Sequence, residues 1–275
     1  MDTIQTLLGN IDTDSAFVDG LDRVQLEKLT PAAYATEPHE KLTQRYAFVP
    51  TSAVIDTMRR AGFNVVQAVQ SRSRKQLPAF ARHALRFRKV KSEVFVGEVV
   101  PEILVLNSHD GTSAYHVRIA LFRAICSNGM IVSDTAFPSW RVPHRGSAAV
   151  EVLEAALRLA QQFGEVGAVI ERMRHIYLTE AQRLTFASDA LAIRYPNELA
   201  GQAVSPAELL KARRPEDAGA DLWRTLNVVQ EYLLQGGAPR VTATKRQVRM
   251  RGVRAIREDV RINSALWERA MLEMA

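Results

Sequence analysis

Two stretches, "EILVLN" (102–107) and "AYHVRIALFRAIC" (114–126), decide the fold of this chain. The first is a short apolar run typical of a buried strand, and the second alternates apolar and polar residues. Asp110-Gly111 lies between them and Asn128-Gly129 follows the second, and both pairs tolerate the positive φ angles of hairpin turns. The pattern therefore predicts an antiparallel meander whose third strand runs from about 130 to 137.

Working outward, strand patterns give way to helix patterns at about Ser147. Upstream, "RYAFVPT" (45–51) and "NVVQAVQSR" (64–72) predict short strands on either side of a helix at 53–63. Downstream, apolar residues recur at spacings of three and four, most clearly in "ADLWRTLNVVQEYLLQGG" (220–237). We predict an α+β fold, in which an antiparallel sheet with two hairpins is followed by a helix-rich C-terminal half packed on it.

The domain organisation follows from the same patterns. Residues 1–44 alternate short apolar groups with Asp, Thr and Pro, and predict an N-terminal arm suited to self-association. Residues 45–275 are predicted to form a single α+β domain, sheet-rich over 45–145 and helix-rich over 146–275. The Gly-, Thr- and Arg-rich residues 236–248 are predicted to be a linker before a final helix from about 263.

Several classes of protein are disfavoured by what the sequence lacks. It opens without a basic and apolar leader, and no apolar run approaches the roughly 18 residues that span a bilayer. Its one cysteine, Cys126, has no internal disulfide partner and belongs to no CxxC pair. No glycine-rich nucleotide-binding motif is present. We expect a soluble cytoplasmic protein without cofactor, metal site or catalytic residues.

Positive charge is concentrated in two strips. Residues 72–91 hold eight basic side chains and no acid, and residues 240–261 hold eight more against two acids. The strips therefore carry a net +14, and because the whole chain is +6, the remainder is −8. Such a distribution indicates either a polyanionic partner or solvated faces paired with the acidic remainder, and both interpretations stay open.

The polar stretch "NSHDGTSAYHV" (107–117) has a structural and a chemical interpretation. Turn chemistry accounts for Asp110 and Gly111, with neighbouring amide and hydroxyl groups satisfying the hairpin ends. The chemical alternative is an enzyme site built from His109, Asp110 and His116, although no metal-ligand or nucleophile spacing supports it. The turn is the favoured interpretation.

Two further segments could contact a ligand. "WRVPHR" (140–145) places aromatic and guanidinium groups side by side, which suits base stacking and phosphate binding as well as a plain packed loop. In the helix at 220–237, Asn227 and Gln230 lie near an apolar stripe and either bury an amide network or line a groove.

An ordered set of motifs carries a family resemblance. "NSHDGTSA", "LFRAICSNGM", "LWRTLNVVQEYLLQGG", the second basic strip and "INSALWERA" together resemble the phage- and plasmid-borne proteins of domain-of-unknown-function family 932. The resemblance covers about residues 45–272. It implies a mobile-element protein, a setting often associated with DNA processing, and assigns no catalytic residue.

The functional expectation is a non-catalytic protein that binds nucleic acid, most of all single-stranded DNA, and anneals strands as a homo-oligomer. Phosphates would be neutralised by the basic strips, and Phe87, Trp140 or Tyr115 would stack on bases. The alternative is an anti-defence or interaction module that binds an acidic surface of a host protein. The predicted nucleic-acid-binding residues are Arg72, Arg74, Lys75, Arg86, Arg88, Lys89, Trp140, Arg141, Lys245, Arg246, Arg249, Arg251 and Arg254.

Overall fold

Helices and strands divide the chain as an α+β protein, with most helices in the C-terminal half. The structure, a computed structural model, describes residues 20–42, 46–72, 78–90, 99–123, 128–132, 136–196, 204–241, 244 and 246–275. The strands within these residues are β1 (Phe63–Gln70), β2 (His83–Lys89), β3 (Val99–Asn107), β4 (Tyr115–Arg123), β5 (Asn128–Val132), β6 (Trp140–Val142), β7 (Gly236–Val241) and β8 (Gln247–Arg251). The α-helices are α1 (Arg23–Leu29), α2 (Thr51–Arg60), α3 (Ala148–Gln161), α4 (Phe163–His175), α5 (Glu180–Arg194), α6 (Leu222–Gln235) and α7 (Ile256–Leu272).

The main sheet is antiparallel, with strand order β1-β2-β3-β4-β5, and β6 also pairs with β4. Tyr115 at the start of β4 lies opposite Val142 of β6, whereas Ile119 farther along lies opposite Val132 of β5. β7 and β8 form a separate two-stranded antiparallel sheet, called the ribbon below. The predicted α+β class and the antiparallel meander are therefore confirmed.

Asp110 and Gly111 form the turn that the sequence predicts for the first hairpin. Gly111 has a φ of +77°, and the Asp110 carboxylate accepts hydrogen bonds from Ser108 and Thr112, as the turn interpretation requires. The second hairpin differs, because Asn128 and Gly129 already pair within β5, opposite the end of β4. Residues 124–127, which include Cys126, lie between β4 and β5 in the sequence and outside the described residues.

Three sequence predictions about elements are wrong. Residues 46–50 form no strand, because Pro50 caps the N-terminus of α2 and the helix begins at Thr51. The predicted linker at 236–248 contains β7 and the first two residues of its partner strand β8. The last helix begins at Ile256, seven residues before the predicted start.

The chain divides into two compact units. Unit 1 comprises residues 1–95, 101–118 and 139–160, and unit 2 comprises residues 96–100, 119–138 and 161–275. Whether residues 45–275 behave as one domain stays a prediction. No helix among the described residues is sufficiently long and apolar to cross a membrane.

Unit 1 has its core between α2 and one face of the sheet. Val54, Ile55 and Met58 of α2 are almost completely buried, as are Leu85 and Phe87 of β2. Residues 20–42, the described part of the predicted N-terminal arm, also pack here. The Leu21 amide donates to the Val65 carbonyl of β1 at 2.6 Å, and Leu26 of α1 is fully buried.

Unit 2 is organised around α6, which packs against α4, α5 and α7. Polar residues of α6 are buried with their partners. The Gln230 amide donates to Asn263 Oδ1 at 2.7 Å, so the buried amide network considered for this helix is present. The buried Glu231 carboxylate binds Arg214 at 2.7 Å, and Arg214 also binds Asp217.

Candidate nucleic-acid interface

The ribbon presents two arginines on one open face. Residues two apart in a strand share a face and lie about 7 Å apart, so Arg249 and Arg251 of β8 point the same way. Both are exposed, whereas Met250 between them is only 3% exposed and faces inward. Across the ribbon, Arg249 lies opposite Pro239 and Arg251 lies opposite Gly236, so no bulky side chain covers the guanidinium groups from the partner strand.

Glycine chemistry fixes where this ribbon starts. Helix α6 ends at Gln235, and Gly236 follows with a φ of +79°. A Cβ atom at Gly236 would meet the Met250 carbonyl oxygen, so only glycine allows β8 to approach the end of α6 this closely. The Val253 amide then donates to the Leu234 carbonyl at 2.7 Å, which ties the ribbon to the buried helix.

Four arginines of β8 and of the residues that follow it have no acidic partner in the part of the chain that the structure describes. Arg249, Arg251, Arg254 and Arg257 are exposed, and no carboxylate of the described residues lies within ion-pair distance of any of them. Arg249 makes one long contact, donating to the Gly237 carbonyl at 3.4 Å. These guanidinium groups are therefore available to an external anion.

The nearby acid Glu258 is occupied by other arginines. Arg261 binds its carboxylate at 2.6 Å, and Arg194 lies 3.7 Å away. The pKa of Glu258 is lowered, chiefly because Arg261 donates a hydrogen bond to it and despite opposing desolvation. Glu258 therefore remains ionised within its own ion pairs and does not neutralise the ribbon.

The remaining predicted cations are placed less uniformly. Arg246 is exposed but makes a contact of its own, and Lys245 lies outside the described residues. In unit 1, Arg72 and Lys89 are exposed, whereas Arg74 and Lys75 lie outside the described residues. Because the two strips belong to different units, their convergence into one track stays a prediction.

Two predicted phosphate ligands are instead structural. Arg86 and Arg88 of β2 are 7% and 8% exposed, and both bind the buried carboxylate of Glu102 in β3, at 3.2 Å and 2.6 Å. The β2–β3 register places Arg86 opposite Leu104, which brings Glu102 within reach of both guanidinium groups. Arg86 and Arg88 therefore do not belong to a phosphate-binding surface.

Two of the three proposed stacking residues are also buried. Phe87 and Tyr115 are fully buried in unit 1 and cannot meet a nucleobase. Trp140 is 37% exposed, with the Arg158 guanidinium 5.2 Å from its ring centroid. Trp140 and Arg141 are successive strand residues, so they point to opposite faces and cannot hold a base and its phosphate together from one side.

A buried polar cluster in unit 1 surrounds Thr51, the first residue of α2. Thr51 Oγ1 lies 2.9 Å from His83 Nε2 and 3.2 Å from His109 Nε2, and it accepts a hydrogen bond from Asn107 at 3.0 Å. His83 Nδ1 lies 3.0 Å from the Ala81 carbonyl, so neutral His83 donates there and accepts from Thr51 through Nε2. The cluster fastens α2 to the strands.

Burial sets the protonation of these histidines. Desolvation is the largest cause that lowers the pKa of His83 to about 4 and that of His109 to about 3. The residues of the enzyme hypothesis are not brought together, because Asp110 lies in the turn and His116 points away from the face on which Tyr115 joins the cluster. Among the described residues no group of three metal-ligating side chains is present.

Sequence reasoning missed this cluster entirely. Its members lie 32 to 64 residues apart from Thr51, and only strand pairing brings them together. The one available signal was the histidine content of strand ends, with His83 at the start of β2 and His109 just beyond β3. Arg257 was also left out of the predicted interface, although it is as exposed as the neighbouring arginines.

Comparisons with known proteins give a consistent picture. A family model described as "Domain of unknown function (DUF932)" matches residues 38–267. The chain is 34% identical to UPF0380 protein YfjQ and 35% identical to UPF0380 protein YafZ, both from Escherichia coli (strain K12). Each match covers 248 residues, which is 90% of this chain and 89% of the relative. No solved structure gives a significant match.

Proposed function

The chain belongs to the domain-of-unknown-function family DUF932, and we propose that it binds single-stranded DNA through the arginine face of the ribbon. The observation that carries the proposal is a set of exposed arginines that have no carboxylate partner among the described residues, Arg249, Arg251, Arg254 and Arg257. Guanidinium groups form charge-assisted hydrogen bonds with phosphate oxygens, and each neutralised phosphate releases counterions.

The ribbon also offers apolar surface beside its cations. Val241 of β7 is 46% exposed and Pro239 is exposed, and the register places both on the same face as Arg249. An unpaired base can lay its ring against such surface while its phosphate meets an arginine, whereas the bases of a duplex are stacked inside it. This combination favours a single strand over a duplex as the ligand.

Strand annealing and self-association extend the proposal. A protein that holds one strand with its bases accessible can present it to a complementary strand, and several copies along a strand would align both. Annealing of labelled complementary oligonucleotides, together with sedimentation of the protein with and without DNA, tests these two steps separately from binding.

The direct experiment compares charge-matched variants. The ribbon variant carries Arg249→Gln and Arg251→Gln, and the control carries Arg60→Gln and Arg172→Gln, two exposed arginines on helices. Fluorescence anisotropy with a labelled single-stranded oligonucleotide measures Kd over a series of salt concentrations. Both variants lose two positive charges, so a difference between them reports location rather than net charge.

We expect the ribbon variant to bind at least about tenfold more weakly and the control to bind like the native protein. If both arginines contact phosphates, the slope of log K against log salt falls in magnitude by about 1.4 for the ribbon variant. An equal loss of DNA affinity in the ribbon variant and the control would refute the ribbon as the binding surface. Tighter binding to a matched duplex would refute the single-strand preference.

The alternative function, recognition of an acidic protein surface, predicts a different pattern. A stoichiometric partner retained after nuclease treatment and released by the ribbon variant would support it, provided that the native protein fails to bind the oligonucleotide at low salt.

A further inference from the structure

One face of the paired strands β4 and β6 in unit 1 holds a second candidate anion site, built from residues other than those of the ribbon. The β4–β6 register places His116 directly opposite Arg141. Strand alternation puts both on the face opposite the buried pair Tyr115 and Val142. Arg118, two residues beyond His116, shares their face. Three basic side chains therefore occupy one small area of two paired strands.

Neither His116 nor Arg141 has a partner in the part of the chain that the structure describes. Among the described residues, no hydrogen bond and no carboxylate reaches the His116 imidazole or the exposed Arg141 guanidinium. Arg118 and Arg82 differ, because each makes contacts of its own. Arg118 and Arg82 therefore contribute positive charge, whereas His116 and Arg141 contribute unused hydrogen-bond donors.

Protonation of His116 is electrostatically unfavourable without an anion beside it. The pKa of His116 is lowered, first by desolvation and then by the positive charges of Arg118, Arg141 and Arg82. Like charges directly opposite each other in a sheet are destabilising. An anion between His116 and Arg141 would relieve that repulsion and accept the unused N–H groups.

We propose that His116 and Arg141 form a phosphate-binding site in the positive field of Arg118 and Arg82. The planar guanidinium of Arg141 can donate two parallel hydrogen bonds to phosphate oxygens, and protonated His116 adds a third donor. The phosphate belongs either to a DNA strand, in which case the inference rests on the proposed function, or to a free phosphate compound.

The test follows the His116 imidazole by NMR from pH 5 to pH 8. Inorganic pyrophosphate should raise the pKa of His116 by about one unit, because an adjacent anion favours the imidazolium. Sodium chloride at the same ionic strength should produce less than half of that rise. Arg141→Gln should remove most of the pyrophosphate effect, and Arg145→Gln, an exposed neighbour on the same segment, should preserve it.

Each result decides the proposal. An equal rise with sodium chloride, or an undiminished rise in Arg141→Gln, overturns it. A parallel arm uses a single-stranded oligonucleotide. If that strand binds through the ribbon arginines but pyrophosphate leaves His116 unchanged, this site fails and the proposed function stands. If pyrophosphate raises the pKa of His116 through Arg141 but no strand binds, the site takes free phosphate compounds and the proposed function fails.

Discussion

Lowering the pH from 7 to 5 should destabilise unit 1 through His83 and His109. Both side chains are completely buried and hydrogen-bonded to Thr51 in their neutral forms. Protonation would place a charge in this buried cluster, and Arg82 beside His83 and a charged His83 beside His109 would oppose it further. In the unfolded chain the same imidazoles titrate near their ordinary pKa of about 6.5.

The direction and size of the stability change follow from the pKa values of the two histidines in the folded and unfolded states. The folded pKa values, about 4 for His83 and about 3 for His109, lie below the unfolded value, so the unfolded state binds more protons at pH 5. The contribution of the two histidines to the free energy of unfolding is therefore complete above about pH 6.5, and it falls by about 1.4 kcal/mol per histidine for each pH unit below that value. At pH 5 each histidine has lost about 2 kcal/mol, or about 4 kcal/mol together.

Urea unfolding at pH 7 and pH 5 measures this loss, and His83→Asn isolates one histidine. Asn can still donate to the Ala81 carbonyl but does not titrate, so the loss between the two pH values should shrink by about 2 kcal/mol. Carboxylates contribute equally to both proteins and cancel in the comparison. An equal loss in native protein and His83→Asn would refute the reasoning.

Two other substitutions test the fold around the candidate sites. Glu102→Gln leaves Arg86 and Arg88 buried without their carboxylate. It should lower the free energy of unfolding, measured in urea, by about 3 to 5 kcal/mol. A loss below about 1 kcal/mol would contradict the role of Glu102 in a buried ion pair. Gly236→Ala should lower the melting temperature and weaken DNA binding without removing a charge, because its Cβ meets the β8 backbone. Gly164→Ala is the control, since space is open there and alanine suits a helix; equal melting temperatures for the two variants would show that the ribbon tolerates a side chain.

Much of the fold could be predicted because local patterns and tertiary packing agree. The alternation in β4 matches its buried and half-buried faces, and Thr179 with Gln182 forms the capping box that the spacing indicates. Gly62 ends α2 with a φ of +81°, as a helix stop should. Each of these signals depends on residues within a few positions of each other, which is the range over which sequence periodicity carries information.

The features that the sequence did not predict depend on pairing between residues far apart along the chain. Nothing near Arg86 in sequence reveals Glu102, because the pair exists only through the β2–β3 register. The composition "GGAPRV" of β7 is poor in strand-forming residues, so the ribbon is held by its partner strand and by α6 rather than by local preference. Counting charges along the chain therefore overestimated the positive charge that the first basic strip exposes, because Arg86 and Arg88 form ion pairs inside the protein.

Two adjacent residues of β4 lie on opposite faces of the strand, one in the acid-sensitive cluster and the other in the candidate anion site. Tyr115 joins the buried cluster around Thr51, and His116 lies on the other face of the strand, opposite Arg141. Falling pH should therefore weaken the fold through His83 and His109 while it strengthens anion binding through His116. Arg141→Gln should change anion binding and leave the acid loss that comes from His83 and His109 intact, and His83→Asn should reduce that loss and leave anion binding unchanged. If either variant moved both properties together, the two faces of β4 would form one coupled system, and the assignment of separate roles to its neighbouring residues would be wrong.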